Sequence, residues 1–556
     1  MSEGSGLRLD VEQSPPNLKA RHGRTTRREL MQRRWMAGLT GFAVLIFATA
    51  AVAGLVSGTV SSVDSAGKRI VVETSGGKTQ TFRIPKSTRI EVDGERGSFD
   101  DIKEGHRVSV FSTNTGGVSR LRIRTAPADA SKPRSEPSED KPAASSDDGE
   151  EVAGRGRVDA GPAATDAGWT QFRGPDRANR SSSTGLLTEW PQGGPPLAWR
   201  TEGLGVGYSS VSLADGKILT MGSRGEDEFV IAVDAADGSE VWATRIGATR
   251  PDGRGAGPRG TPTIDGDRVY ALGANGDLAC LELGSGSPVW GGNILQHFDG
   301  NNIPWGISES VLIDGNKVIC TPGGKQATMA ALDKETGDVI WRAKAPGNPP
   351  AAYASPIAVD IGGVRQYVNF THSAVIGVRA DNGQFLWSND SSANGTANCS
   401  TPLQYGDYIF SASGYGTGGS LVLVTGERGR NGAKQIYHTR EMKNHHGGMV
   451  IVGDHLYGTD SGPLKCLEVM SGEVAWQDRS VGKGSVVFAD GHIILRSEGG
   501  PLALFEATPD GYVEKGRFDQ PDRSDLPAWA HPVVADGKLF LRDQELLLVY
   551  DLRESR

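Results

Sequence analysis

The stretch AALDKETGDVIW, residues 330–341, sets an acid, Asp333, four residues before a turn glycine, Gly337, and a tryptophan, Trp341, four residues after it. The pattern recurs. AVDAADGSEVW repeats it with Asp234, Gly238 and Trp242, CLELGSGSPVW with Glu282, Gly286 and Trp290, and CLEVMSGEVAW with Glu468, Gly472 and Trp476. GVRADNGQFLW keeps Gly383 and Trp387 but carries Arg379 at the acidic place. Five copies in one register mark an internal repeat.

Working outward, Trp199 falls one unit before Trp242, and Tyr437 stands where the long step between Trp387 and Trp476 lacks a tryptophan. Each unit also opens with a turn between two β-rich runs: LADGK (213–217), IDGDR (264–268), IDGNK (313–317), VDIGGVR (359–365), QYGDY (404–408), VGDH (452–455), ADGH (489–492) and ADGK (535–538). Asp-Gly and similar pairs are strong hairpin signals. Eight four-stranded units of this length form a propeller. The last unit, HPVVADGKLFLRDQELLLVYDLR (531–553), supplies three strands, and PPLAWRTEG (195–203) supplies a lone one. The N-terminal strand is expected to complete the last blade, closing the ring and leaving no open edge. The fold class read from the sequence is all-β: an eight-bladed β-propeller over residues 167–556.

In this frame the acid and glycine bracket the hairpin between a blade's third and fourth strands. The acid accepts hydrogen bonds from turn amides, and glycine tolerates positive φ. The tryptophan opens the outer strand and packs on the neighbouring blade. Trp199, Trp242, Trp290, Trp341, Trp387 and Trp476 are therefore docking residues, and no catalytic residue is assigned among them.

Upstream, residues 1–34 form a basic tail, expected to be cytoplasmic. WMAGLTGFAVLIFATAAVAGLV (35–56) runs without a charge for the length of a transmembrane helix. An uncleaved anchor is the favoured reading, which puts a single-pass protein in the inner (cytoplasmic) membrane with its bulk in the periplasm. A cleaved signal peptide is the alternative, given Ala48, Ala50, Ala51 and Ala53. Residues 57–125 hold six short strand-like runs and suggest a small closed, OB-like β-barrel. Residues 126–166, rich in Pro, Ala, Ser and charge, read as a disordered linker. The net charge of −8 and the lack of an aromatic stacking platform give no sign of a nucleic-acid binder. The four cysteines, 280, 320, 399 and 466, lie far apart, so no CxxC zinc or haem motif occurs.

The copies Ala331-x-Asp333…Gly337…Trp341 and Ala232-x-Asp234…Gly238…Trp242 resemble the tryptophan-docking repeat of the quinoprotein (PQQ) propeller family. WTQFRGPDRANRSSSTGLLTEWP (169–191), NHHGGMV (444–450), GKGS (482–485) and WAHPVVADGKLFLRDQ (529–544) are similar to the PQQ-like repeat proteins of planctomycete-type bacteria, which are grouped with BamB-type assembly propellers and polyvinyl-alcohol dehydrogenase. The resemblance implies either a binding propeller or a PQQ- and calcium-dependent dehydrogenase. This chain departs from the dehydrogenases: it has no adjacent cysteines, and the Glu, Asn and Asp calcium ligands cannot be placed.

The starts of the inner strands carry polar and aromatic residues, among them GYSS (207–210), GPRGTP (257–262), IPWGIS (303–308), AAYASP (351–356) and KNHHGG (443–448). Arg259, Trp305, Tyr353, Asn398, His445, His446, Lys483, Trp529 and His531 are expected to gather at one mouth of the channel, either as a binding site or as plugs and caps of the inner strands. His445 and His446, adjacent on a strand, would point to opposite faces, so no metal site is assigned. Two readings follow. The first is a membrane-anchored, envelope-facing scaffold that binds an envelope protein or small-molecule ligand, with outer-membrane assembly in the manner of BamB-type propellers as the role the resemblance implies, and needs no cofactor. The second is a quinoprotein oxidoreductase.

Overall fold

The computed structural model describes residues 55–73, 78–86, 88–92, 95–112, 118–124, 168–425 and 432–554. They fall in two compact units, divided after Pro127. The basic tail, the linker and all of the expected membrane segment except its last two residues lie outside the described residues. Among the described residues no helix is long and apolar enough to cross a membrane. Leu55 and Val56, assigned to that segment from sequence, instead open a strand.

The first unit has seven strands: β1 (Leu55–Asp64), β2 (Arg69–Glu73), β3 (Thr79–Arg83), β4 (Arg89–Val92), β5 (Glu95–Gly97), β6 (Arg107–Ser112) and β7 (Val118–Arg124). They form one sheet in the order β3-β2-β1-β6-β7-β4-β5. The additional strand arises because the run around residues 88–93 folds as half of the β4–β5 hairpin. Pro85 separates β3 from β4, so one chain segment pairs with β2 at one end and, in parallel, with β7 at the other. Ile70, Val72, Val110 and Leu121 fill its interior.

The second unit consists of eight four-stranded antiparallel sheets among the described residues, an all-β arrangement of the propeller type. In the sheet that carries the opening motif, the strands are Leu312–Asp314, Lys317–Cys320, Met329–Asp333 and Val339–Ala343. The eight turns read from the sequence each join the first and second strands of a sheet. The last sheet contains Val533–Ala535, Lys538–Asp543 and Leu546–Asp551, and its fourth strand is β8 (Leu197–Thr201), with Trp199 opposite Val549. The N-terminal strand thus closes the last sheet as expected. One apolar cluster, including Leu213, Ile231, Leu504, Leu541 and Val549, joins the first sheet to the last two.

The docking motif behaves as an interface device. Asp333 Oδ1 accepts from the amides of Glu335 and Thr336 at 2.9 and 3.1 Å. The indole N–H of four docking tryptophans reaches a backbone carbonyl of the next sheet: Trp242 to Leu283 at 3.0 Å, Trp290 to Lys334 at 2.8 Å, Trp341 to Ala380 at 3.2 Å and Trp476 to Thr508 at 2.8 Å. Trp199, Trp242, Trp290 and Trp341 cover Gly238, Gly286, Gly337 and Gly383 so closely that a Cβ there would come within 3 Å of the indole. Glycine is required both by its positive φ and by the ring above it. Trp387 differs. Its indole donates to Gln366 Oε1 within its own sheet, at 2.7 Å. In the seventh sheet the equivalent place, opposite Leu504, is Gly516, and Trp190 packs over it from the segment before β8.

The stretch 169–180 runs into the axis of this unit. Its backbone carbonyls at Trp169 and Thr170 accept from Leu213 and Ile264, both at 2.7 Å. The buried Arg177 donates to the carbonyls of Ser310 (2.8 Å), Pro356 (2.9 Å) and Val311. Arg173 donates to Met449 O at 2.5 Å, and Asn179 to Val486 O. Burial lowers both guanidinium pKa values, to about 10 for Arg173 and about 9 for Arg177. Carbonyl oxygens replace the water these cations lose. This segment ties the inner strands of six sheets together.

Candidate functional site

Antiparallel strands reverse direction at every hairpin. The links entering each inner strand and the hairpins between second and third strands therefore share one end of the sheets. At that end lies a pocket enclosing about 830 Å³, its open mouth included. Phe172, from the axial segment, lines it together with His531, whose ring centroid is 5.1 Å away.

Of the nine residues expected to gather there, Arg259, Trp305, Tyr353, His446, Trp529 and His531 line the pocket. His445 stacks on His446 with ring centroids 3.6 Å apart, and Lys483 Nζ lies 2.9 Å from His445 Nδ1. Asn398 does not join them. It is buried, and its amide caps the carbonyls of Thr371 (3.0 Å) and His372 (2.8 Å). The hydroxyls of the inner-strand starts are also structural. The amide of Ser210 donates to Thr261 Oγ1 at 3.1 Å, that of Thr261 to Ser310 Oγ at 2.9 Å, and that of Ser310 to Ser355 Oγ at 2.9 Å.

The aromatic rings make a continuous wall. Tyr208 and Trp529 lie 4.8 Å apart, Trp529 and His446 4.3 Å, and His445 and Tyr415 4.8 Å. Trp305 and Tyr353 form a second pair at 5.6 Å. Arg259 lies 5.4 Å from the Tyr208 ring and is paired with Asp252 at 3.2 Å, both side chains nearly buried. Arg254 lies 5.5 Å from the Trp305 ring, is exposed, and has no ion pair among the described residues. Its charge is therefore available to a ligand.

Tyr208, Arg254, Cys399, Tyr415 and Phe172 line the pocket without having been expected there. Tyr208 and Cys399 sit in inner-strand starts and were legible there. Tyr415 comes from a second-to-third-strand hairpin and Phe172 from the axial segment, which have no repeat signature.

His445 and His446 are not on a strand, because the strand of this sheet begins only at Met449. The opposite-face argument against a shared ion therefore fails, and both rings stack on one side. Burial first, then His446 and Lys483, lowers the His445 pKa to about 3. Burial also lowers that of His446, against the pull of Glu498. Burial opposes ionisation of Glu498, but His446 and Lys483, at 3.3 and 2.9 Å, outweigh it and hold its carboxyl at about 2.

The donor set does not fit PQQ with calcium. Calcium takes several carboxylate and carbonyl oxygens, and among the described residues no Asp or Glu lines the pocket. All four cysteines are free.

Among curated proteins, the chain is 31% identical over 136 residues to the quinohemoprotein alcohol dehydrogenase ADH IIB of Pseudomonas putida, covering 23% of this chain and 19% of that protein. It is 24% identical over 245 residues to the outer membrane protein assembly factor BamB of Yersinia pestis, covering 43% of this chain and 56% of that one. The chain thus spans less than two thirds of either relative. Among solved structures, the quinohemoprotein alcohol dehydrogenase of Comamonas testosteroni aligns with a TM-score of 0.50 at 13% identity, over 72% of this chain and 83% of that one, a likeness of fold alone. The family described as "Outer membrane protein assembly factor BamB" matches residues 190–306 and 226–478. Those segments together exceed half the chain, and the protein belongs to this family of PQQ-like repeat propellers.

Proposed function

We propose that this protein is an envelope binding protein and not an oxidoreductase. In this reading an apolar anchor that ends before β1 holds it in the inner membrane, and an OB-like domain beginning at Leu55 and a linker (126–166) carry an eight-bladed propeller (167–556) into the periplasm. The parallel β4–β7 pairing supports the OB-like reading. The pocket takes an anionic group on an apolar body, offered by a small molecule or by an envelope protein partner.

The observation that carries this is the wall of rings with Arg254 exposed at its mouth and without an ion pair among the described residues. Aromatic and Arg side chains are the usual anchors of binding surfaces. The quinoprotein alternative keeps only the partial likeness to the dehydrogenase, and the donor set stands against it. Titrating the full-length protein with a fluorescent naphthalene sulfonate tests the reading. Saturable binding is expected, weakened at least about tenfold by Arg254→Ala with Trp305→Ala. Unchanged binding in that variant, or dye reduction appearing only with added PQQ and Ca²⁺, would refute it.

A further inference from the structure

We propose that Cys399, His445 and His446 form a binding site for a thiophilic transition-metal ion, zinc(II) or copper(I), on the pocket wall. The three side chains bring one ligand atom each within 4.8 Å of one another. Ligand atoms around a tetrahedral zinc stand about 3.5 Å apart, given Zn–S and Zn–N lengths of about 2.3 and 2.0 Å. Closure therefore needs about an ångström of side-chain movement.

Two further features agree. Cys399 and His446 line the pocket, so an ion held there keeps a coordination position open to solvent or ligand. Glu498 Oε1 lies 3.3 Å from His446 Nδ1, the carboxylate–histidine contact that orients a metal-bound imidazole and leaves Nε2 to the ion. The donor set of one thiolate and two imidazoles selects soft and borderline ions over calcium or magnesium. Binding at His445 replaces one weak partner, Lys483 at Nδ1 (2.9 Å) or Tyr415 at Nε2 (3.1 Å), and Lys483 keeps Glu498. The inference does not depend on what else the pocket binds.

The test uses the full-length chain, reduced and stripped with chelator, and titrated with Zn²⁺ or Cu⁺ against a chromophoric competitor. The expected result for at least one ion is one tight site per chain, lost by about 100-fold or more in Cys399→Ser and His446→Gln. Glu498→Gln should weaken it by about 10- to 100-fold. Cobalt(II) should give a thiolate charge-transfer band that Cys399→Ser abolishes. Should the variants fail to fold, the wild-type chain decides: the bound ion should slow alkylation of Cys399 by N-ethylmaleimide, read by mass spectrometry. No stoichiometric binding of either ion, an unaltered affinity in folded Cys399→Ser, or alkylation indifferent to both ions would overturn the proposal.

Discussion

The ring of Tyr437 fills the space over Gly472, where a Cβ would stand 2.4 Å from Tyr437 Cε2, and its hydroxyl donates to the Val469 carbonyl at 2.7 Å. Trp341 stands over Gly383 in the same way. Tyrosine thus replaces tryptophan in the fifth sheet without loss of the contact or of the hydrogen bond.

Alanine at Gly383 or Gly472 should therefore cost more than backbone strain alone. Positive φ costs a Cβ about 1–2 kcal/mol, and displacing the ring about 1–3 more. Gly216 shares the φ, at +69°, but has nothing within 4 Å. Gly216→Ala should show only the backbone cost. Equal melting temperatures for Gly216→Ala and Gly383→Ala would rule out the contact contribution.

Trp341→Ala should destabilise by about 3–5 kcal/mol, and the effect should be coupled to that of Gly383→Ala in a double-mutant cycle. Trp387 bonds within its own sheet. Its replacement should be additive with Gly383→Ala. Chemical denaturation of the three single and two double variants measures this.

A chain starting at Leu204 loses β8 and the axial segment, which bares the edge at Val549 and frees the carbonyls that Arg177 binds. Aggregation or a large loss of melting temperature is expected. Arg177→Met alone keeps β8 and should still cost roughly 3 kcal/mol, since several buried carbonyls lose their donor. If the truncated chain melts like the whole protein, the closure described here is dispensable.

Stability also depends on pH. Burial, then Arg173, lowers the His531 pKa to about 4. The unfolded value is near 6.5, so the unfolded chain takes up the proton first as pH falls. Stability is complete above about pH 6.5 and is lost towards pH 4, by about 3 kcal/mol for this group. His446 acts in the same direction. His531→Gln should flatten the melting curve against pH in that window, and an unchanged slope would remove His531 as its source.

The repeat was legible in the sequence because its physics is local. An acid, a glycine and a tryptophan at fixed offsets make one hairpin and one contact, and Asp-Gly turns mark the strand reversals. Strand count, hairpin positions and the closing role of Trp199 all follow from residues within a unit or at the two ends of the repeat region. Gly516 escaped because the residue packed on it, Trp190, comes from another part of the chain. The pocket was half legible for the same reason. Inner-strand starts share a recognisable place in each unit, so Arg259, Trp305, Tyr353, His446, Trp529 and His531 could be named. Asn398 could not be told from a ligand-facing residue, because only its carbonyl partners, Thr371 and His372, decide where its amide points. Phe172 and Tyr415, and the stacking of His445 on His446, were set by tertiary structure alone. They depend on where loops from separate sheets and the axial segment meet, and contacts between residues far apart in the chain leave no periodic trace in it.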